Sequence, residues 1–190
     1  KITGATLTNE GRIKEAYKFD GTTSKKITSV NSMPALGNGS WSISAWHKSD
    51  SLTSPSTLQH VVNWGTLSQQ NMTADLLMMS SKPQCGGNWQ THDQFVDSGV
   101  TMTLGKWYHT TCVYDGATQN LSVYVDGIYK AQEYQPGKVL DSTQVRIGYA
   151  TSTTQYWNGT IDEVRIYNRA LTSDEVIGLY QGTKSNKIEL

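Results

Sequence analysis

Two aspartates, Asp20 and Asp162, stand near opposite ends of the chain, each beside a segment that alternates apolar and polar residues. The segments are Tyr17-Lys18-Phe19-Asp20-Gly21 and Gly159-Thr160-Ile161-Asp162-Glu163-Val164-Arg165-Ile166-Tyr167. Alternation with period two turns one face of a strand toward a core. If these two strands pair in one sheet, their carboxylates meet at its rim and offer oxygen to a hard cation such as calcium. Calcium takes roughly six to eight oxygens, so carbonyls and waters would have to join them. The competing reading is local: Asp20 opens the Asp20-Gly21 turn, and Asp162 accepts nearby backbone N–H groups.

A second chemistry lies in the tryptophans. Sugar rings stack their apolar C–H faces on indoles while their hydroxyls seek short polar groups. Trp64, Trp89 and Trp157 fall near turns or irregular stretches, among Asn63, Asn88, His92, Gln155 and Asn158. Trp89 fits best, because Gly87-Asn88 and Gln90-Thr91 around it offer little regular core. The alternative is that these indoles are core, as most are in a sandwich. Trp46 and Trp107 sit in patterned strands and are assigned to packing. His47 follows Trp46 on the opposite strand face, so it faces out or lines a groove.

Catalytic signatures are missing. Glycosidases use two carboxyls set apart on one face, whereas Asp162 and Glu163 are adjacent and point to opposite faces. No nucleophile elbow, P-loop or dinucleotide fingerprint is present. The four histidines have no helical metal-ligand spacing. Cys85 and Cys112, the only cysteines, lack the His spacing of a zinc site. They form a disulfide in an oxidising compartment, or else remain two thiols. Lys and Arg together number 16, as do Asp and Glu, and this balance without a basic stripe argues against a nucleic-acid backbone as partner. No apolar run approaches the roughly 20 residues that span a bilayer. Sequons at Asn38, Asn71, Asn120 and Asn158 carry little weight in so Ser/Thr-rich a chain. No signal peptide is visible, but the sequence starts at Lys1 without a Met, as a fragment lacking its targeting segment would, so this carries no weight for destination.

The elements that must position these residues are short strands separated by turns, which predicts a sandwich or barrel. Candidates are 16–19, 26–30, 41–48, 60–64, 75–79, 107–114, 121–125, 128–133, 144–149 and 160–167. Asp126-Gly127 between two apolar runs predicts a type I′ hairpin. Residues 49–57 and 80–94 read as irregular loops. One helix is expected, at the end: Thr172-Ser173-Asp174-Glu175 is a capping box, Leu171 and Val176 form its staple, and Gly182 is its stop.

In this order the pieces resemble the laminin-G-like (LamG), or concanavalin A-like, lectin and glucanase domains. The carrying residues are Ala16-Tyr17-Lys18-Phe19-Asp20-Gly21, Trp41-Ser42-Ile43-Ser44-Ala45-Trp46, Gly105-Lys106-Trp107-Tyr108-His109, Val123-Tyr124-Val125-Asp126-Gly127 and Ile161 through Thr172. The match spans about residues 11–182. It implies an all-β fold, a two-sheet antiparallel β-sandwich (jelly roll) with one short C-terminal helix, as a single domain over 1–190. It also implies a calcium ion near the chain ends at Asp20 and Asp162, and a structural role for His109. The implied function is a non-catalytic, extracellular binding module for a glycan or cell-surface polysaccharide. The alternative is a protein-binding or adhesion module of a cell-surface, pilus or phage-tail protein. A divergent polysaccharide-degrading enzyme is a third reading. The fold hosts many functions, so the site must decide among them.

Overall fold

In a computed structural model, residues 1–22, 24–52, 58–65, 73–89, 92–136, 140, 144–150 and 155–184 are described; for 88, 89, 92–94, 183 and 184 only the backbone is. Two antiparallel sheets of seven strands face each other. The front sheet runs β1 (Ile2–Thr3), β4 (Lys26–Thr28), β13 (Val145–Ile147), β6 (Gln59–Gly65), β7 (Thr73–Met79), β8 (Lys82–Trp89), β9 (His92–Asp97). The back sheet runs β12 (Ile128–Tyr134), β11 (Asn120–Val125), β10 (Trp107–Asp115), β5 (Trp41–Ser49), β14 (Asn158–Tyr167), β3 (Ala16–Asp20), β2 (Thr6–Thr8). The expected pairing of the chain's two ends is present, with Asn158 opposite Asp20 and Ile161 opposite Tyr17. This is the two-layer sandwich that short alternating strands require, because each sheet has one apolar face to bury.

The core lies between the sheets. Trp41, Ile43 and Ala45 of β5 and Leu121 and Val123 of β11 meet Val62 and Trp64 of β6 and Leu76 and Met78 of β7. Trp41 stacks on Tyr114 with ring centroids 5.7 Å apart. A disulfide joins Cys85 of β8 to Cys112 of β10, so it ties one sheet to the other, with Cα atoms 5.5 Å apart. Closing a loop of 27 residues' separation removes unfolded-state entropy equivalent to roughly 3–4 kcal/mol.

Two turns show how local chemistry shapes the sheets. Asp126 and Gly127 link β11 to β12 with φ of 53° and 77°, the left-handed pair of a type I′ hairpin that glycine accepts at little cost. Residues 80–94, expected as a loop, instead contribute β8 and β9. Gly87 misled the pattern: a Cβ there would stand 2.3 Å from the Thr73 carbonyl oxygen. Glycine at that position allows close strand approach rather than marking an irregular segment.

The helix α1 (Ser173–Lys184) closes the outer face of the back sheet. Its capping box forms as expected. The Thr172 amide donates to Glu175 Oε2 at 2.9 Å, and the Glu175 amide donates to Thr172 Oγ1 at 3.3 Å. Leu171 and Val176 pack with Val113 and Tyr124 of the sheet below. Helical structure continues past Gly182, the expected stop. No described helix is long and apolar enough to cross a membrane.

Candidate functional site

Asp162 is an organiser of backbone. Its Oδ2 accepts from the amides of Arg12 (2.7 Å) and Ile13 (3.2 Å), and its Oδ1 accepts from Glu163 (2.8 Å). It thereby pins the loop before β3 against a bulge in β14, where the register to β5 shifts between Asp162 and Arg165. Glu163 there takes a left-handed φ of 49°. Asp20 stands at the other end of the β3–β14 ladder. Its Oδ1 accepts from the Thr22 amide and hydroxyl, and Lys25 Nζ approaches its Oδ2 at 3.8 Å. The Thr22 hydroxyl bond does most to hold this carboxyl below its ordinary range.

The two acids do not form a shared cation site. Asp20 faces Asn158, and Asp162 lies four residues farther along β14, which is roughly 13 Å at strand rise. One ion with bonds of about 2.3–2.6 Å cannot reach both. Three of their four carboxylate oxygens accept N–H or O–H donors. Among the described residues no group of three or more His, Cys, Asp and Glu side chains gathers for a metal.

The tryptophan expectation also changes. Trp64 and Trp157 are 1% and 0% exposed and belong to the core. They offer no stacking face to a ligand, because each sits at an inward position of its strand or loop. His47 is wholly buried as well. It meets Trp157 edge-on at 5.4 Å and its Nε2 lies 2.8 Å from Thr110 Oγ1. Burial pushes its imidazole down to about 3, and neighbouring His109 acts in the same direction. His47 is therefore a neutral core group, neither a general base nor a groove residue. The side chains of Trp89, Asn88 and His92 lie outside the described residues. Their backbones close the β8–β9 hairpin, with Trp89 opposite His92 and Asn88 opposite Asp93.

The outer faces of the two sheets differ. On the back sheet, Trp46 is clamped between the Arg12 guanidinium, 4.7 Å from the ring centroid, and Tyr180 of α1, 5.6 Å away. His109 packs on both aromatics. Around Trp46 that face is filled. On the front sheet the registers align a polar row across four strands: Thr28 opposite Arg146, Arg146 opposite Asn63, and Asn63 opposite Asp75. Arg146 Nη1 donates to Asn63 Oδ1 (2.9 Å) and to the Gly65 carbonyl (2.8 Å), and Asn63 Nδ2 donates to Asp75 Oδ1 (2.5 Å). His60 Nδ1 comes within 3.5 Å of the same oxygen, without hydrogen-bond alignment. Both His60 ring nitrogens are buried and unpartnered.

The middle of this row is buried, with Asn63, Asp75 and His60 at most 2% exposed. Its β4–β13 end opens into a cleft of about 460 Å³ lined by Lys1, Lys26, Thr28, Ser29, Gln144 and Tyr149 among others. Thr28 Oγ1 and the Tyr149 hydroxyl lie 2.5 Å apart. Tyr149 stacks nearly parallel to Tyr156, with centroids 6.2 Å apart. Hydroxyls, an amide, ammonium groups and an aromatic wall thus converge in one concave place, the usual composition of a small-ligand site. The sequence reading singled out none of Lys26, Thr28, Gln144, Arg146, Tyr149 or Asp75. For Asp75 and Arg146 a signal was present, a polar residue flanked by apolar ones, in Ala74-Asp75-Leu76 and Val145-Arg146-Ile147, as in Val62-Asn63-Trp64.

Known structures share this architecture. Domain 4 of AbnA, a GH43 extracellular arabinanase from Geobacillus stearothermophilus solved with arabinotriose, is 22% identical with a TM-score of 0.73, covering 95% of this chain and 87% of that one. A heptameric SAP-like pentraxin from Limulus polyphemus is 17% identical with a TM-score of 0.72, covering 90% and 83%. The CBM40 of Ruminococcus gnavus IT-sialidase, bound to α2,3-sialyllactose, is 14% identical with a TM-score of 0.60, covering 81% and 98%. At these identities the likeness is one of fold. No curated protein matches the chain in sequence. A family model does, over residues 20–177, and the chain therefore belongs to the concanavalin A-like lectin/glucanases superfamily, within Laminin_G_3.

Proposed function

We propose that the protein is a non-catalytic carbohydrate-binding module that works outside the cytoplasm, with its ligand seated on the front sheet. The observation that carries this reading is the cleft over β4 and β13, where Thr28, Tyr149, Gln144 and Lys26 present polar atoms beside an aromatic wall. A sugar needs that combination. Around Trp46 the back sheet's outer face is occupied by α1 and Arg12. The arabinotriose and sialyllactose complexes of similar folds support carbohydrate as the ligand class. The disulfide supports an oxidising destination.

The non-catalytic reading rests on the charges in the cleft. Most glycosidases set two carboxyls at the substrate, and among the described residues the charged groups lining this cleft are lysines. Asp75 and His60 lie buried behind it.

A glycan array probed with the wild-type chain and with Tyr149→Ala tests the proposal. Binding that is lost in the variant while its melting curve is retained supports it. No binding to any glycan overturns it. A second reading has its own observation. Ile128 and Tyr129 of the β11–β12 hairpin and Ile177 of α1 are exposed beside a cleft of about 510 Å³, a surface suited to a protein partner. Retention of a receptor protein by the wild type, lost with Ile128→Asp and Ile177→Asp, would favour that reading.

A further inference from the structure

The charged side chains lining the front cleft, Lys1 and Lys26, are both cations. Among the described residues, neither has a carboxylate within ion-pair distance, whereas Lys18, Lys25, Lys48 and Lys82 each do. In a chain whose acids and bases balance at 16 each, a cleft whose described lining holds two cations and no acid shows a local bias. Lys26 Nζ instead lies 5.5 Å from the centroid of the Tyr149 ring, whose partner in parallel stacking is Tyr156. Arg146 adds a third cation on the next strand. It sits diagonally from Lys26, with its guanidinium held by Asn63 and the Gly65 carbonyl. Among the described residues, the acid in this polar row, Asp75, is 1% exposed and is separated from Arg146 by Asn63.

We propose that this cleft takes an acidic sugar, with the carboxylate of a uronate or sialate residue held by Lys26 and the sugar hydroxyls meeting Thr28, Tyr149 and Gln144. The inference rests on the carbohydrate reading above and names its ligand class. Lys26 is poised for the exchange. An ammonium over an aromatic face is held weakly at a half-exposed site, and a carboxylate offers it a charge-assisted hydrogen bond instead. The hydroxyl pair of Thr28 and Tyr149 can each donate or accept, as a sugar's vicinal hydroxyls require.

Calorimetric titration separates the alternatives. The probes are a galacturonate trimer, its fully methyl-esterified form, 3′-sialyllactose and lactose. Each acidic probe is expected to bind at least about tenfold tighter than its neutral counterpart in about 50 mM NaCl, and the gap should narrow in about 300 mM NaCl as screening shortens. Preference for the galacturonate or the sialyl probe names the source of the carboxylate. Lys26→Met is expected to abolish the gap without moving the melting temperature, and Lys26→Arg to keep most of it. Equal binding of acid and ester sinks the acidic-sugar assignment and leaves a sugar site standing. A gap that survives Lys26→Met also sinks it. Failure of every glycan on the array removes the carbohydrate reading itself.

Discussion

The two outer faces of this sandwich have opposite fates. On the back sheet, Trp46, His109, Val113 and Tyr124 meet Tyr180, Val176 and Leu171, and the Arg12 guanidinium lies over the Trp46 ring. Aromatic and apolar groups there find partners from the same chain. On the front sheet, the corresponding outward positions are Lys26, Thr28, Arg146, Asn63 and Asp75; no described helix packs on them, and while Asn63 and Asp75 are buried, the Lys26 and Thr28 end opens into the cleft. The contrast shows how one scaffold can spend one face on stability and keep the other for recognition. Changes on the back face should cost stability and leave binding alone, whereas changes at the open end of the front face should do the reverse.

The largest expected effect falls on the back face. Trp46→Ala removes an indole that is 3% exposed and should destabilise by about 3–5 kcal/mol, read as a shift in urea midpoint, with ligand affinity of the folded fraction retained. Acid should follow closely. His47 and His109 are held neutral in the fold by burial, down to about 3 and about 4, with Arg165 adding to the effect on His109. Once unfolded, both return to the ordinary 6.5. Below that pH the unfolded chain binds more protons, so stability is present near neutrality and is lost as pH falls from about 6.5 toward 4. At pH 5 the loss should be about 2 kcal/mol for each histidine. Denaturant melts across pH, with His47→Gln as the comparison, read the effect. A flat profile would show that neither imidazole is held neutral by its surroundings.

Asp162→Ala comes next. It leaves the amides of Arg12, Ile13 and Glu163 without their acceptor, a loss of about 3 kcal/mol. The same loss should appear with and without chelator, because the carboxylate acts on backbone rather than on an ion. A chelator-dependent difference would restore the metal reading of this residue. The smallest stability effect is expected at Lys26, where Lys26→Met should stay within about 0.5 kcal/mol. A larger loss would mean that the front cleft is structural too, and the contrast between the faces would fail.

Much of the scaffold was legible residue by residue. The capping box at Thr172 and Glu175, the Asp126-Gly127 turn and the alternating strands at 41–48 and 107–114 are local features, and local chemistry decides them. The pairing of β3 with β14 followed from the order of recognisable segments. The β8–β9 hairpin was hidden because Gly86-Gly87 looks like a loop until Thr73 is seen pressed against it. The site was less legible. Trp64 and Trp157 stand among polar neighbours in sequence, yet their indoles turn inward while those neighbours turn out. Alternation says that two faces exist without saying which one a given indole takes.

By itself the sequence determined which residues alternate, where the chain turns, where its one helix begins, and that the two sheets would have apolar inner faces. These depend on neighbours a few positions away. Only the tertiary structure decided that Asp20 and Asp162 stand at opposite ends of one ladder, and that Thr28, Arg146, Asn63 and Asp75 line up across four strands drawn from distant parts of the chain. The physical reason is register. A shift of one residue in any strand would send its polar residue into the core, and the packing of the whole sandwich, rather than any single segment, holds that register in place.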